Sequence, residues 1–196
     1  MLFDYKVWNE GIEYGIVRGS RRTVFIKTGL GTDEIEPDSK YMTIARRLHE
    51  ADGCGVVVAA NPHDGSSHAE SDRRVLERYL EENGISAPEL SFFGNSNGCI
   101  KGLELAACSV TFQKMILVNM PLMINFHKTK GYIAAIPQTE ILAVYGELDP
   151  SFSYVPFLRG RYVNLRVMTV PGADHNFKGK TDEFIDICKY VWYNAD

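Results

Sequence analysis

The run Leu90-Ser91-Phe92-Phe93-Gly94-Asn95-Ser96-Asn97-Gly98 passes from an apolar strand into a helix through a single tight turn. Leu90 to Phe93 is a short apolar stretch of the kind a buried strand needs, and Asn97 to Cys108 has the make-up of a helix. Between them stands Gly-x-Ser-x-Gly. A turn this tight requires flanking residues without side chains, which would otherwise strike neighbouring backbone. It also holds the serine in a strained conformation above the sheet, with the free N–H groups of the new helix directed at it. Glycine and serine are common in loops, so the pentapeptide alone would pass for a turn and helix cap. Its place at a strand-to-helix junction makes Ser96 a candidate nucleophile.

On either side the chain alternates short apolar runs with longer amphipathic ones. Upstream, Phe3 to Trp8 and Ile12 to Val17 alternate apolar and polar residues around Asn9-Glu10-Gly11, the pattern of a half-buried antiparallel hairpin. Thr23 to Ile26 is a third strand. Pro37 to Ala51 reads as a helix with Tyr41, Ile44, Ala45 and Leu48 on one face and Pro37 in its first turn. Val56 to Ala60 is apolar on both faces, as a strand covered on both sides should be. Asp72 to Glu82 is an amphipathic helix with Val75, Leu76, Tyr79 and Leu80 together. Downstream, Met115 to Val118 and Ile141 to Tyr145 are buried strands, and Val163 to Val170 alternates partly, as an edge strand would. Thr181 to Tyr193 closes the chain as a helix with Phe184, Ile187, Cys188 and Val191 inward. The expectation is an α/β fold: a mostly parallel sheet of about eight strands, helices on both faces and right-handed crossovers. In such a sheet ligands sit beyond the carboxyl ends of the strands.

Composition agrees. The 196 residues are 45% hydrophobic and 23% charged, which suits one globular domain, residues 1–196, and excludes disorder as the main state. Twenty-one basic against 25 acidic residues leave a net charge of −4, so nucleic acid is not an expected partner. No apolar run reaches the ~20 residues of a membrane span. Met1-Leu2-Phe3-Asp4-Tyr5-Lys6 lacks a basic region followed by an apolar stretch, so no export signal is expected. Cys54, Cys99, Cys108 and Cys188 are scattered and form no metal-type grouping, the pattern of reduced thiols in a cytoplasmic protein.

Partners for Ser96 follow it in the order acid, then histidine, each just past a strand. Tyr145-Gly146-Glu147-Leu148-Asp149-Pro150 offers two carboxylates, and Asp149 before Pro150 could equally cap the next turn. Pro171-Gly172-Ala173-Asp174-His175-Asn176-Phe177 offers His175 after the last strand. Among the other histidines, His49 reads as a surface or packing residue. His63 and His68 read as solvated loop residues, and His127 sits in an irregular stretch beside Lys128 and Lys130.

Taken together, Gly94-Asn95-Ser96-Asn97-Gly98, Gly146-Glu147-Leu148-Asp149-Pro150 and Gly172-Ala173-Asp174-His175-Asn176-Phe177 resemble the nucleophile elbow, acid loop and histidine loop of the α/β-hydrolase superfamily. The resemblance runs through essentially the whole chain. It implies Ser96 as nucleophile, His175 as general base and acid, and Asp149, not Glu147, as the orienting acid. The family's oxyanion loop, often His-Gly-x-Gly, maps onto Thr28-Gly29-Leu30-Gly31, with Thr28 where a histidine usually stands. Backbone N–H groups of Leu30 and Asn97 are the implied oxyanion donors. Between the sixth and seventh strands only Asn119 to Thr139 is available for a lid, a short helix or loop at most.

The chemistry implied is two-step acyl transfer. A serine hydroxyl needs an adjacent base at neutral pH, and histidine is suited to take and return its proton. No metal and no organic cofactor is required. The expected substrate is a small carboxylic ester. The same three residues would serve a thioesterase, acyltransferase or peptidase, and the fold could also act as a non-catalytic small-molecule receptor. Gly29, Asn95, Met123 and Phe152 are candidate substrate contacts, although Asn95 could simply satisfy the turn. Met120 to Phe126, and Phe152 with Tyr154 and Phe157, could be pocket wall or ordinary core. Asn61-Pro62-His63-Asp64-Gly65 follows a strand and is a candidate rim of the site. Cys99, one turn along the helix, reads as a small packing residue.

Overall fold

A computed structural model describes residues 3–63 and 67–193. Met1, Leu2, Asp64 and Gly65, which enter the readings above, lie outside the described residues. Eight strands form one sheet: β1 (Tyr5–Asn9), β2 (Ile12–Val17), β3 (Ser20–Lys27), β4 (Cys54–Ala59), β5 (Glu89–Asn95), β6 (Lys114–Val118), β7 (Glu140–Gly146) and β8 (Leu165–Val170). Their spatial order is β1-β2-β4-β3-β5-β6-β7-β8. Pairings β1–β2 and β2–β4 are antiparallel, and the remaining pairings are parallel.

The helices are α1 (Lys40–Asp52), α2 (Ala69–Glu82), α3 (Asn97–Cys108), α4 (Leu122–Ala135) and α5 (Thr181–Asp186). From β3 to β4 the chain steps one way along the sheet, and from β4 past β3 to β5 it steps back. With right-handed crossovers, α1 and α2 therefore fall on opposite faces. The steps to β6 and β7 continue in the second direction, which brings α3 and α4 beside α2, while α5 packs with α1. The reversal lies between β3 and β5, so a crevice opens at their carboxyl ends, where Thr28–Gly31 and Ser96 emerge.

Burial follows from this layering. β4 and β6 are buried at every position, as strands covered on both faces must be, and β8 is the partly exposed edge. β2 departs from the expected half-buried pattern, since all six of its residues are buried. Its polar side is covered: the Glu13 carboxylate takes Lys6 at 2.8 Å and the Ile35 N–H at 2.6 Å. On the opposite face Tyr14 donates to Asp72 at 2.8 Å. The ring of Phe3 lies where a side chain on Gly15 would stand.

Three further boundaries differ from the pattern. α1 begins at Lys40, because the Ser39 hydroxyl caps the Met42 N–H at 3.3 Å, and Pro37 lies in the preceding turn. Asn119–Thr139 holds α4, two helical pieces that meet at a kink at Asn125, packed on α3 in the crossover from β6 to β7. The closing helix stops at Asp186 and continues as a 3-10 turn over Ile187–Val191. Its β-branched Ile185, Ile187 and Val191 disfavour a longer α-helix. Phe184, Ile187, Cys188 and Val191 are buried as the spacing suggests.

Candidate active site

Ser96 stands between β5 and α3 with φ 52° and ψ −126°, the strained backbone expected of so tight a turn. A Cβ on Gly94 would come within 2.6 Å of the Phe92 ring and 3.1 Å of Cys99 backbone; one on Gly98 would meet the Thr28 carbonyl oxygen at 2.4 Å. Both flanking positions therefore require glycine. The Ser96 N–H donates to the Val118 carbonyl at 2.8 Å, tying the turn to the end of β6.

The Ser96 hydroxyl lies 2.9 Å from His175 Nε2, and His175 Nδ1 lies 2.5 Å from Asp149 Oδ2. Asp149 is buried, with a fully covered carboxyl group, while the His175 side chain is 36% exposed. The second Asp149 oxygen accepts the Ser151 N–H at 2.7 Å, so this carboxylate caps the following 3-10 stretch and also meets the histidine. Glu147 is turned to the histidine loop, where it accepts the Gly172 N–H at 2.9 Å. Asp174 accepts the N–H groups of Lys178 at 2.9 Å and Asn176 at 3.0 Å, and the former above all holds its carboxyl below the usual range.

The loop Thr28–Gly31 is anchored without a histidine. Thr28 and Gly31 donate their N–H groups to the carbonyls of Ala59 and Asn61, at 3.2 and 2.9 Å. The buried Asn61 amide donates to the Thr28 carbonyl at 3.1 Å and to Asn97 Oδ1 at 3.4 Å. The buried Tyr41 hydroxyl accepts the Gly29 N–H and the Asn95 amide, each at 2.9 Å. Asn95 is thus occupied beneath the loop, in the role of local support.

Of the remaining candidates, Gly29 sits closely on that support, since a Cβ there would lie 3.3 Å from Asn95 Nδ2 and 3.5 Å from the Tyr41 hydroxyl, with the Ser96 Cβ at 3.8 Å. Met123 is 54% exposed and Ile124 is exposed, whereas Met120 and Leu122 belong to the core. Phe152 is half-buried against the core, and Phe126, Tyr154 and Phe157 form an aromatic cluster. His49 binds the Cys54 carbonyl at 2.9 Å, His63 is exposed and His127 lies edge-on to Phe126. His68 is buried at the start of α2, not solvated, because α2 begins three residues earlier than the pattern suggests. Cys99 packs in the core with its Sγ 3.3 Å from the Val118 carbonyl, and burial pushes its thiol well above the usual range. Among the described residues no group of three or more His, Cys, Asp or Glu is placed to hold a metal ion, and no helix is long and apolar enough to cross a membrane.

Sequence pattern alone missed Tyr41, whose spacing indicates only burial, and Asn61 and Asn119, which it treats as rim and lid boundary. One signal was present: Asn61 and Asn119 each follow closely on a buried strand, as Ser96 does.

A sheet reversing between β3 and β5, with a strained serine at that crevice, defines the α/β-hydrolase fold, and this chain has it. It is similar to an α/β serine hydrolase homologue from Coxiella burnetii, at 17% identity over 98% of this chain and 99% of the other, with a TM-score of 0.71. It is similar to an α/β serine hydrolase without lid from Xanthomonas campestris, at 18% identity over 98% and 95%, with a TM-score of 0.69. Est1E from Butyrivibrio proteoclasticus matches at 12% identity over 94% and 95%, with a TM-score of 0.73. No family model matches the sequence, and no curated protein matches it.

Proposed function

We propose that the protein is a serine hydrolase that cleaves a small carboxylic ester through an acyl-enzyme on Ser96. The observation that carries this reading is the unbroken chain from Ser96 Oγ to His175 Nε2 at 2.9 Å and from His175 Nδ1 to Asp149 Oδ2 at 2.5 Å. Asp149 accepts a hydrogen bond from Nδ1–H, which holds the tautomer that leaves Nε2 free to take the hydroxyl proton as Oγ attacks the ester carbonyl. The carbonyl oxygen becomes negative, and the N–H groups of Leu30 and Asn97 stabilise it, at about 3–4 kcal/mol per donor. Asn97 is the first residue of α3 and has no carbonyl one turn back within the helix. His175 returns the proton to the leaving alcohol, and water then releases the acid by the same route. Gly29 leaves room for the acyl group, and Met123 and Phe152 line its approach. A single domain and a cytoplasmic setting complete the reading, the latter fitting four free thiols.

The test is turnover of short p-nitrophenyl esters, beside acyl-CoA thioesters and peptide amides, with fluorophosphonate labelling mapped by mass spectrometry. Ester hydrolysis with stoichiometric label on Ser96, both lost in Ser96→Ala, is the expected result. Full activity in that variant overturns it. Preference for the thioester or amide replaces the substrate class, and tight ligand binding without turnover makes the protein a receptor.

A further inference from the structure

We propose that Asn119 is the positioning residue that sets His175 against Ser96, acting through the backbones of the acid and histidine loops. The proposal rests on the hydrolase reading above. Asn119 directly follows β6, is fully buried, and has a φ of 48°. Its Nδ2 donates to two carbonyls of the histidine loop, Asp174 at 3.1 Å and His175 at 2.9 Å. Its Oδ1 accepts the N–H of Gly146, in the acid loop, at 2.8 Å. Its own N–H donates to the Val144 carbonyl at 2.8 Å, and the preceding carbonyl, of Val118, accepts the Ser96 N–H at 2.8 Å. The dipeptide Val118-Asn119 therefore touches all three segments that carry the candidate triad, though β6 supplies none of its members.

The chemistry of the side chain explains why it is asparagine. Two donors and one acceptor are needed on one short planar group, and only an amide offers them. Aspartate lacks the donors, a hydroxyl has too few, and glutamine adds a methylene in a buried place. Asparagine also tolerates left-handed backbone better than most residues. The acid and histidine loops are already in close contact, since a Cβ on Gly146 would lie 2.3 Å from the Ala173 carbonyl oxygen. Releasing the Asn119 amide frees the histidine loop to shift against Ser96, and displacement of about 1 Å costs a reaction ~100-fold.

The experiment compares the full chain with Asn119→Asp, which keeps shape and acceptor but loses both donors, and Asn119→Gly, which removes the side chain and relaxes the backbone. Fluorophosphonate labelling of Ser96, and kcat and KM on p-nitrophenyl acetate, are measured per folded molecule, with the low-field proton signal of the His175 Nδ1–H as a substrate-free marker. The expected outcome is a drop of about 10- to 100-fold in labelling rate and kcat, KM within about twofold, and a shifted or lost low-field signal. Folded variants with the parent's rates and signal overturn the proposal while leaving the triad standing. Failure of both variants to fold assigns Asn119 to the fold alone and also overturns it. Absence of label on Ser96 in the parent chain overturns the hydrolase reading, and this proposal with it.

Discussion

The two edges of the parallel sheet use left-handed backbone differently. At the amino edge, the turns that lead into β4, β5 and β8 adopt it at Gly53, Gly84 and Gly160, with φ of 63°, 64° and 68°. At the carboxyl edge, glycines such as Gly31 and Gly172 share it with Ser96, Asn119 and Phe177, with φ of 52°, 48° and 56°. A residue with a side chain in such a conformation costs about 1–3 kcal/mol. Each of the three has a contact that glycine could not make: Ser96 reaches His175, Asn119 joins two loops, and the Phe177 ring packs on Phe184 at 5.3 Å. Among the crossover turns of the parallel strands, strain is kept where a side chain must be presented from the backbone at an unusual angle, and avoided where the chain only has to turn; the β1–β2 hairpin turn differs, with Glu10 at a φ of 51°.

The largest expected effect is at Ser96. Ser96→Ala and Ser96→Gly both lose roughly 10⁴-fold or more in kcat, read on p-nitrophenyl acetate. Urea unfolding should then find the glycine variant the more stable by about 1 kcal/mol, because its backbone is relaxed. Equal stabilities would remove the strain from the comparison.

A second contrast is buried charge. Lys27, at the carboxyl end of β3, and Asp72, at the start of α2, are both buried and lie 2.8 Å apart, and Tyr14 donates to the same carboxylate oxygen. Lys27→Met leaves that carboxylate without its cation and should destabilise the fold by about 3–5 kcal/mol in chemical denaturation. A change of a few tenths would mean that the pair does not hold this edge together.

Tyr41→Phe removes the acceptor shared by the Gly29 N–H and the Asn95 amide, at an expected cost of about 1–3 kcal/mol. If Gly29–Leu30 carries the oxyanion donor, kcat should fall while KM stays, and a change confined to KM would separate the loop from the reaction. The smallest effect belongs to the amino edge. Gly53→Ala has open space for its Cβ, so its cost of about 1 kcal/mol is purely conformational, and kcat should be unchanged. Lost activity in this variant would show that the two edges are coupled.

Much of the fold was legible because periodicity is local. The bounds of β2 and α3 coincide with their sequence patterns, and the antiparallel hairpin and parallel strands appear in the expected order. Ser96 and His175 could be singled out because each follows a strand and so must reach the same edge of a parallel sheet. Asp149 could not be separated from Glu147 by pattern; the structure turns one carboxylate to His175 and the other to Gly172.

From its own residues the chain determined which segments are strands, which face of each helix is apolar, and that Gly94 and Gly98 must flank Ser96, since these follow from side-chain volume and spacing over a few residues. Tertiary structure alone decided that Tyr41 meets Asn95 across 54 positions, that Asn61 holds Thr28 across 33, and that Asn119 reaches His175 across 56. In each bond a side-chain amide donates, to a tyrosine hydroxyl in the first and in the others to backbone carbonyls, which every residue carries. Which acceptor comes within hydrogen-bond distance of a buried amide depends on how whole strands and helices pack.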